Sequence, residues 1–200
     1  MTMKKSILIF AIIYSALSTV VAQNAESPKN KLGATISTNI FGINGDLTKV
    51  DVGGGFYFSA KISKRFSIYS EIDGSSRNFG ELAISPALSG EFTTGNLAMY
   101  IGPMFDLGKK SNLSFGRVQN YLFSSELKTT TGTIDVIIET TNYSSLFFDF
   151  RHQISSKISL GTRYEWGLNS MFKSTHRKVS SISFTTFIQF GRKSNEEKGN

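Results

Sequence analysis

A short polar knot carrying Lys or Arg recurs about every 46 residues, and it limits the possible folds more than any other feature of this chain. It reads Ile62-Ser63-Lys64-Arg65-Phe66-Ser67-Ile68, then Leu107-Gly108-Lys109-Lys110-Ser111-Asn112-Leu113, then Ile154-Ser155-Ser156-Lys157-Ile158-Ser159-Leu160. Each copy separates two runs of alternating apolar residues, the signature of a tight β-hairpin. Longer and looser polar stretches lie between the knots. Such a chain gathers its tight turns at one end of a sheet and its long loops at the other, as an antiparallel meander does.

The flanking runs divide into eight strands, each sorted into two faces by the period of two. Leu32, Ala34, Ile36 and Ile40 share a face in the first. The second sets Val50, Val52, Phe56, Phe58 and Ala60 against Asp51, Tyr57, Ser59 and Lys61. The third sets Phe66, Ile68 and Ile72 against Tyr69, Glu71 and Asp73. The fourth sets Leu97, Met99, Ile101 and Phe105 against Tyr100 and Asp106. In the sixth, Leu146, Phe148, Phe150 and Ile154 oppose Asp149, Arg151 and Gln153. In the seventh, Ile158, Leu160, Tyr164, Trp166 and Leu168 oppose Arg163 and Glu165, and in the eighth Ile182, Phe184, Ile188 and Phe190 oppose Ser183, Thr185 and Gln189. Roughly ten alternating residues per strand is the length that crosses a bilayer at a tilt.

Alternation alone does not say which face points outward, since a soluble lipocalin-like barrel shows the inverse arrangement around an apolar ligand. Glycine placement favours one answer. Gly33, Gly53, Gly55, Gly102, Gly161, Gly167 and Gly191 all fall on the polar face. An eight-stranded barrel has an interior just wide enough for side chains, so the small residues belong inside and the apolar face meets lipid. The fifth strand breaks the pattern. Leu113 and Phe115 fit the lipid face, and strict parity then sends Arg117 and Gln119 outward, where an arginine at the midplane costs roughly 2–4 kcal/mol. A β-bulge near Gly116 is therefore expected to turn Arg117 inward.

The N-terminus reads as an export signal. Lys4 and Lys5 precede an apolar run from Ile7 to Ala22, and Val20 and Ala22 suit a cleavage site before Gln23. Removing this segment takes two of the 22 basic residues and none of the 15 acidic ones, leaving a net charge of +5. The chain has no cysteine, which excludes disulfides and thiolate metal sites. The expected organisation is a signal peptide at 1–22, a linker at 23–30, a barrel at 31–192 and a polar tail at 193–200.

The mature chain resembles the small eight-stranded outer-membrane barrels of the OmpA/OmpX-like group. The matching parts are the signal peptide, the three tight turns, the alternation, and the final strand from Ile182 to Phe190, with Phe190 in the terminal aromatic role. The polar tail after it departs from that pattern. The resemblance implies an all-β, up-and-down transmembrane barrel in the outer membrane of a Gram-negative cell, monomeric and delivered by the barrel assembly machinery.

The residues suggest a filled lumen. Lys61, Arg151 and Arg163 share the polar face with Glu71, Asp73, Asp106, Asp149 and Glu165, and buried charges must pair. An open ion path fits poorly inside eight strands. A lipid A hydrolase would need a nucleophile, a base and an orienting group, and neither His152 nor His176 shows such spacing. Gly53-Gly54-Gly55 lacks the Lys-Ser/Thr of a phosphate loop. No cofactor, metal or nucleic acid is expected. The loops offer two sharper candidates. Lys173, Arg177 and Lys178 form a basic loop suited to lipopolysaccharide phosphates. Ile134, Val136 and Ile138 continue the parity of Leu146 and Phe148, so the sixth strand is expected to run unbroken from a tip at Thr131-Gly132 down to Ile154. Its exposed edge would suit a surface protein partner. The residues thus read as a structural or adhesive surface barrel, with the conformation of residues 79–94 open.

Overall fold

The computed structural model describes residues 30–44, 46–85, 88–136, 140–173 and 176–190. The expected signal peptide, most of the linker and the polar tail lie outside these. Nine strands occur in order: β1 (Lys31–Ile43), β2 (Asp46–Lys61), β3 (Phe66–Ser85), β4 (Leu88–Asp106), β5 (Ser111–Thr129), β6 (Gly132–Asp135), β7 (Tyr143–Gln153), β8 (Ile158–Gly167) and β9 (Val179–Phe190). Sequential neighbours pair antiparallel, and β1 pairs with β9, so eight strands close into a barrel. The short β6 pairs with β5 alone and stands outside the circuit.

Closure fixes the geometry. A walk along paired residues runs from Lys31 through Ser59, Tyr69 and Gly102 on one side. It continues through Gly116, Phe147, Glu165 and Ser181 to Phe41, ten residues further along β1. Eight strands with a shift of ten tilt by about 40° for a rise of ~3.3 Å per residue and a strand spacing of ~4.7 Å.

The tight knots are the turns at one end. Ile62 and Ser63 amides both donate to the Phe66 carbonyl, and Ile154 and Ser155 amides to that of Ile158. At the other end β3, β4 and β5 continue well past their neighbours. Of residues 79–94, left open by the sequence, 79–85 and 88–94 form the distal half of a β3–β4 hairpin paired down to Ser85 and Leu88.

Two expectations about the fifth and sixth strands fail. No bulge occurs at Gly116: β5 pairs with β7 one for one from Ser111 to Asn120, so Arg117 stays outward, opposite Leu146. The bulge lies seven residues later. Gly95 pairs with Ser124 and Asn96 with Leu122, leaving Phe123 extra on β5 and 65% exposed. The expected unbroken strand from Ile134 to Ile154 is instead two strands, β6 and β7. Its physical cause is that same bulge, which bends β5 and flips the facing of the residues beyond it. Val136 turns inward beside it, its amide bonded to the Ser125 carbonyl at 2.8 Å. A hairpin tip does form, but at Thr130-Thr131 and not at the expected Thr131-Gly132, because Thr129 pairs with Gly132 as the first residue of β6.

Glycines permit one close approach in the wall. A Cβ on Gly102 would meet the Phe115 carbonyl oxygen at 2.0 Å, and one on Gly116 the Ile101 oxygen at 2.2 Å. Gly102→Val should therefore force β4 from β5 and lower barrel stability by about 3 kcal/mol, the upper range for overpacking. Gly108, in a turn with nothing within 4 Å, is the control; Gly108→Ala should stay within about 0.5 kcal/mol. Urea unfolding of refolded barrels distinguishes the two, and equal midpoints would refute the packing argument.

Candidate functional site

Burial along β7 inverts the rule for soluble proteins. Asp149 is fully buried, while its neighbours Phe148 and Phe150 are 51% and 42% exposed. The same holds around the barrel, where Leu32, Ile36, Phe56, Leu160, Trp166 and Phe184 all stand on the convex face. A carboxylate placed inside while phenylalanine faces out is favourable only where the surroundings are apolar.

The lumen within this belt is built on arginines. Arg163, on β8, donates to Glu71 Oε1 at 3.2 Å and Oε2 at 2.6 Å, and to the Tyr69 hydroxyl at 3.0 Å. Its guanidinium lies 4.0 Å from the Tyr100 ring centre. Arg151 Nε donates to Asp149 Oδ2 at 2.7 Å, and its guanidinium sits 3.9 Å from each of the Tyr69 and Phe187 rings. Arg163 is also 3.6 Å from Asp149, joining the two clusters. The Tyr100 hydroxyl donates to Glu165 at 2.6 Å. Ser37 donates to Asp73 at 3.3 Å. Lys61 pairs with Asp106 near the turn end, where Asn112 also donates to Asp106. The structure thus gathers Glu71, Asp149, Arg151 and Arg163 into one network, with Glu165 joined through Tyr100, and sets Lys61 and Asp106 apart as a rim pair.

A fourth charged cluster escaped the sequence reading. Arg77, on β3, donates to Asp51 at 3.2 Å and to the Tyr143 hydroxyl at 2.6 Å, with Asn39 also donating to Asp51. The signal was present: Tyr69, Glu71 and Asp73 set the parity that carries Arg77 inward.

Above this cluster the interior turns apolar. Phe79, Phe92 and Leu127 point inward from the extended hairpins and pack with Phe41, Val136 and Val179. Met171 and Phe172, from the segment after β8, fold across the mouth with 0% and 2% exposure. Thr140 bridges to Phe172 and holds that segment down. The lumen is thus filled by charged and aromatic side chains below and stoppered by an apolar cap above.

The surface candidates divide. Ile134 is 41% exposed, whereas Val136 is 3% exposed within the cap, and Ile138 lies outside the described residues. The expected exposed apolar row is therefore corrected to Ile134 at the tip, because Val136 gains more by burial than by display. In the basic loop Lys173, His176 and Lys178 are exposed. Arg177 lies closer in, with its Nη1 buried and its guanidinium 6.0 Å from the Phe172 ring. His152 stands on the outer rim with Nδ1 3.0 Å from the Ser111 hydroxyl, and no carboxylate completes a triad with them among the described residues.

The arginine network has a stability signature. Glu71→Gln should cost about 3–5 kcal/mol by stranding the buried Arg163 guanidinium. The double variant Glu71→Leu, Arg163→Met should recover most of that loss, because both charges go together. Urea titrations followed by the fluorescence of Trp166 read both, and a double variant as unstable as the single one would contradict the pairing.

No protein-family model matches the chain, and no curated protein matches it either. Solved structures do. Ail, the attachment invasion locus protein of Yersinia pestis, superposes with a TM-score of 0.50 at 11% identity, covering 80% of this chain and 97% of Ail. A second Ail structure, in complex with the heparin analogue sucrose octasulfate, matches with the same score at 13% identity. Neisserial surface protein A gives a TM-score of 0.50 at 8% identity, with the same coverage of both chains. At such identities the likeness concerns the fold, and it agrees with the closed eight-stranded circuit and its inverted faces. The chain has the fold of the small eight-stranded outer-membrane β-barrels.

Proposed function

We propose that this protein is an integral, non-enzymatic barrel of the outer membrane that acts at the cell surface through the structure it raises above the bilayer. The observation that carries the reading is the inversion along β7, with Asp149 buried between exposed Phe148 and Phe150. A belt of this kind has no stable place in water. The filled lumen supports a structural or adhesive role over transport, and it leaves no apolar cavity at its centre for a lipocalin-type ligand. Export requires the signal segment at 1–22, and recognition by the assembly machinery falls to β9, which ends on Phe190.

The extended hairpins supply the surface activity. β3, β4, β5 and β6 form a sheet that outreaches the rest of the barrel. Its outer face carries Glu81, Glu91, Glu126 and Lys128, all exposed, and its tip offers Ile134 of β6 to a partner strand. Lys173 and Lys178 extend above the mouth toward lipopolysaccharide phosphates, with Arg177 partly withdrawn beneath them. The circuit closes within one chain, so no second copy is needed to complete the wall.

Fractionation tests the location: the mature protein should partition with membranes and require detergent for release, and recovery from the soluble periplasm would end the proposal. Phe148→Lys should cost roughly 2–4 kcal/mol near the midplane. In planar bilayers the purified barrel should show no conductance of porin size. Ile134→Lys should leave folding unchanged and reduce attachment of expressing cells to a surface partner, and unchanged attachment would remove the tip from the binding site.

A further inference from the structure

Arg117 is the one arginine that β5 carries on its convex face, between Ile101 of β4 and Leu146 of β7. Its guanidinium donates to the Ser144 hydroxyl at 3.2 Å. Ser144 in turn donates to Asn169 Oδ1 at 2.9 Å, and Gln119 Nε2 to the Tyr143 carbonyl at 3.1 Å. These side chains make a polar island on a mostly apolar face. No carboxylate pairs with Arg117 among the described residues, and a guanidinium has five N–H donors of which this contact uses one.

Height explains the direction of the side chain. With a tilt of about 40°, each residue climbs roughly 2.5 Å and each step to the next strand in the walk adds ~3 Å. The Arg117 backbone then lies ~15 Å above the ring of Phe66, Phe105 and Phe190, in the outer half of a belt ~25 Å tall. Ser144 lies ~8 Å higher, close to the outer interface. Arg117 therefore reaches upward along the barrel wall and brings its charge to headgroup level.

Directly below and beside it is a groove of about 360 Å³ on the same face, lined by Phe115, Leu146, Phe148, Tyr164 and Trp166. Its lining runs from Phe115 at the lower end to Trp166 at the upper end by the same height reckoning. An apolar channel surmounted by an unpaired cation and an amide donor matches an acyl chain below a phosphate. A guanidinium binds phosphate through two parallel N–H···O contacts, and Gln119 Nε2 has a second N–H beyond the one it gives the Tyr143 carbonyl.

We propose that the β5–β7–β8 seam binds one phosphorylated, acylated lipid of the outer leaflet, of the lipid A type, with its phosphate on Arg117 and Gln119 and an acyl chain in the groove. This rests on the outer-membrane reading but is separate from the loop contact at Lys173 and Lys178, which lies above the bilayer. The site also accounts for an outward arginine in the belt: the lipid supplies the counter-charge that the protein does not.

The test uses the full barrel in phosphatidylcholine nanodiscs doped with lipid A or with phosphatidylglycerol, read by native mass spectrometry. The wild type should retain one lipid A per barrel, and R117L should retain it about tenfold less tightly, the equivalent of ~1.4 kcal/mol. L146W, which keeps the charge but fills the groove, should lose the lipid as well. The variant K173Q/R177Q/K178Q, which removes the loop's own phosphate contact, should still hold on the seam the lipid A that R117L does not. Urea stability supplies a readout that a merely structural arginine would not move. In pure phosphatidylcholine R117L should be the more stable barrel, and in lipid A bilayers the less stable one. Equal lipid retention by R117L, or equal retention of phosphatidylglycerol and lipid A, would leave only annular lipid and overturn the site. Loss of the lipid in the loop variant alone would overturn it too. Failure of the wild type to enter any bilayer would overturn the membrane reading instead.

Discussion

The packing of arginine against aromatic rings and carboxylates inside a closed wall is the interaction on which the rest of this structure depends. Eight strands shifted by ten residues enclose a space that side chains fill, and a charge turned outward at mid-height would meet an apolar belt. Apart from Arg117, which reaches up along the outer wall, the charges of the belt are therefore satisfied from within. Arg163 achieves this by serving two strands at once, bonding Glu71 and Tyr69 across the lumen from its own place on β8. Arg151 takes the remaining gap between Tyr69 and Phe187. Flat guanidinium groups suit this role better than ammonium groups, because they stack on rings while donating in their own plane. Lys61 is accordingly found at the rim with Asp106, where water is near.

The interior has two storeys, and a change of solvent outside explains the change of chemistry inside. In the belt the convex face is apolar and the concave face is charged. Along the distal halves of β3, β4 and β5 the order reverts to that of soluble proteins. Phe79, Phe92 and Leu127 point in, and Glu81, Glu91, Glu126 and Lys128 point out. This distal sheet can bury its apolar face only if something covers it, and Met171 and Phe172 do so from the opposite side of the mouth. The cap is thus a small hydrophobic core above the membrane, and its burial ties the segment after β8 to the tall hairpins. The tall hairpins and the closure of the lumen are coupled through that contact.

Most of the barrel was legible in the sequence, because a period of two is read directly from apolar residues wherever one solvent bathes the whole strand. The facing of Phe56, Ile72, Phe148, Leu160 and Phe184, and of Glu71, Asp149 and Arg163 opposite them, comes from parity alone. The misreadings occur where that assumption fails. Arg117 was expected inside because a charge in the belt looked intolerable, whereas the side chain solves the problem by length rather than by a bulge. Arg77 was overlooked because the pattern of Tyr69 and Glu71 was not carried into a stretch whose outward residues, Ser76 and Asn78, are no longer apolar.

The same argument accounts for the fate of Ile134 and Val136. Their parity matched Leu146 and Phe148, and on a strand within the belt both would have faced lipid. Above the belt there is no lipid to reward an outward valine, and a concave apolar surface stands within reach. One extra residue at Phe123 bends β5 enough for the chain after β6 to turn over that surface, and Val136 takes its place beside Leu127. Ile134, close to the tip, is too distal to reach it. What remains exposed among the described residues is thus a short edge carrying Ile134, set by the reach of the cap rather than by the strand pattern that first suggested it.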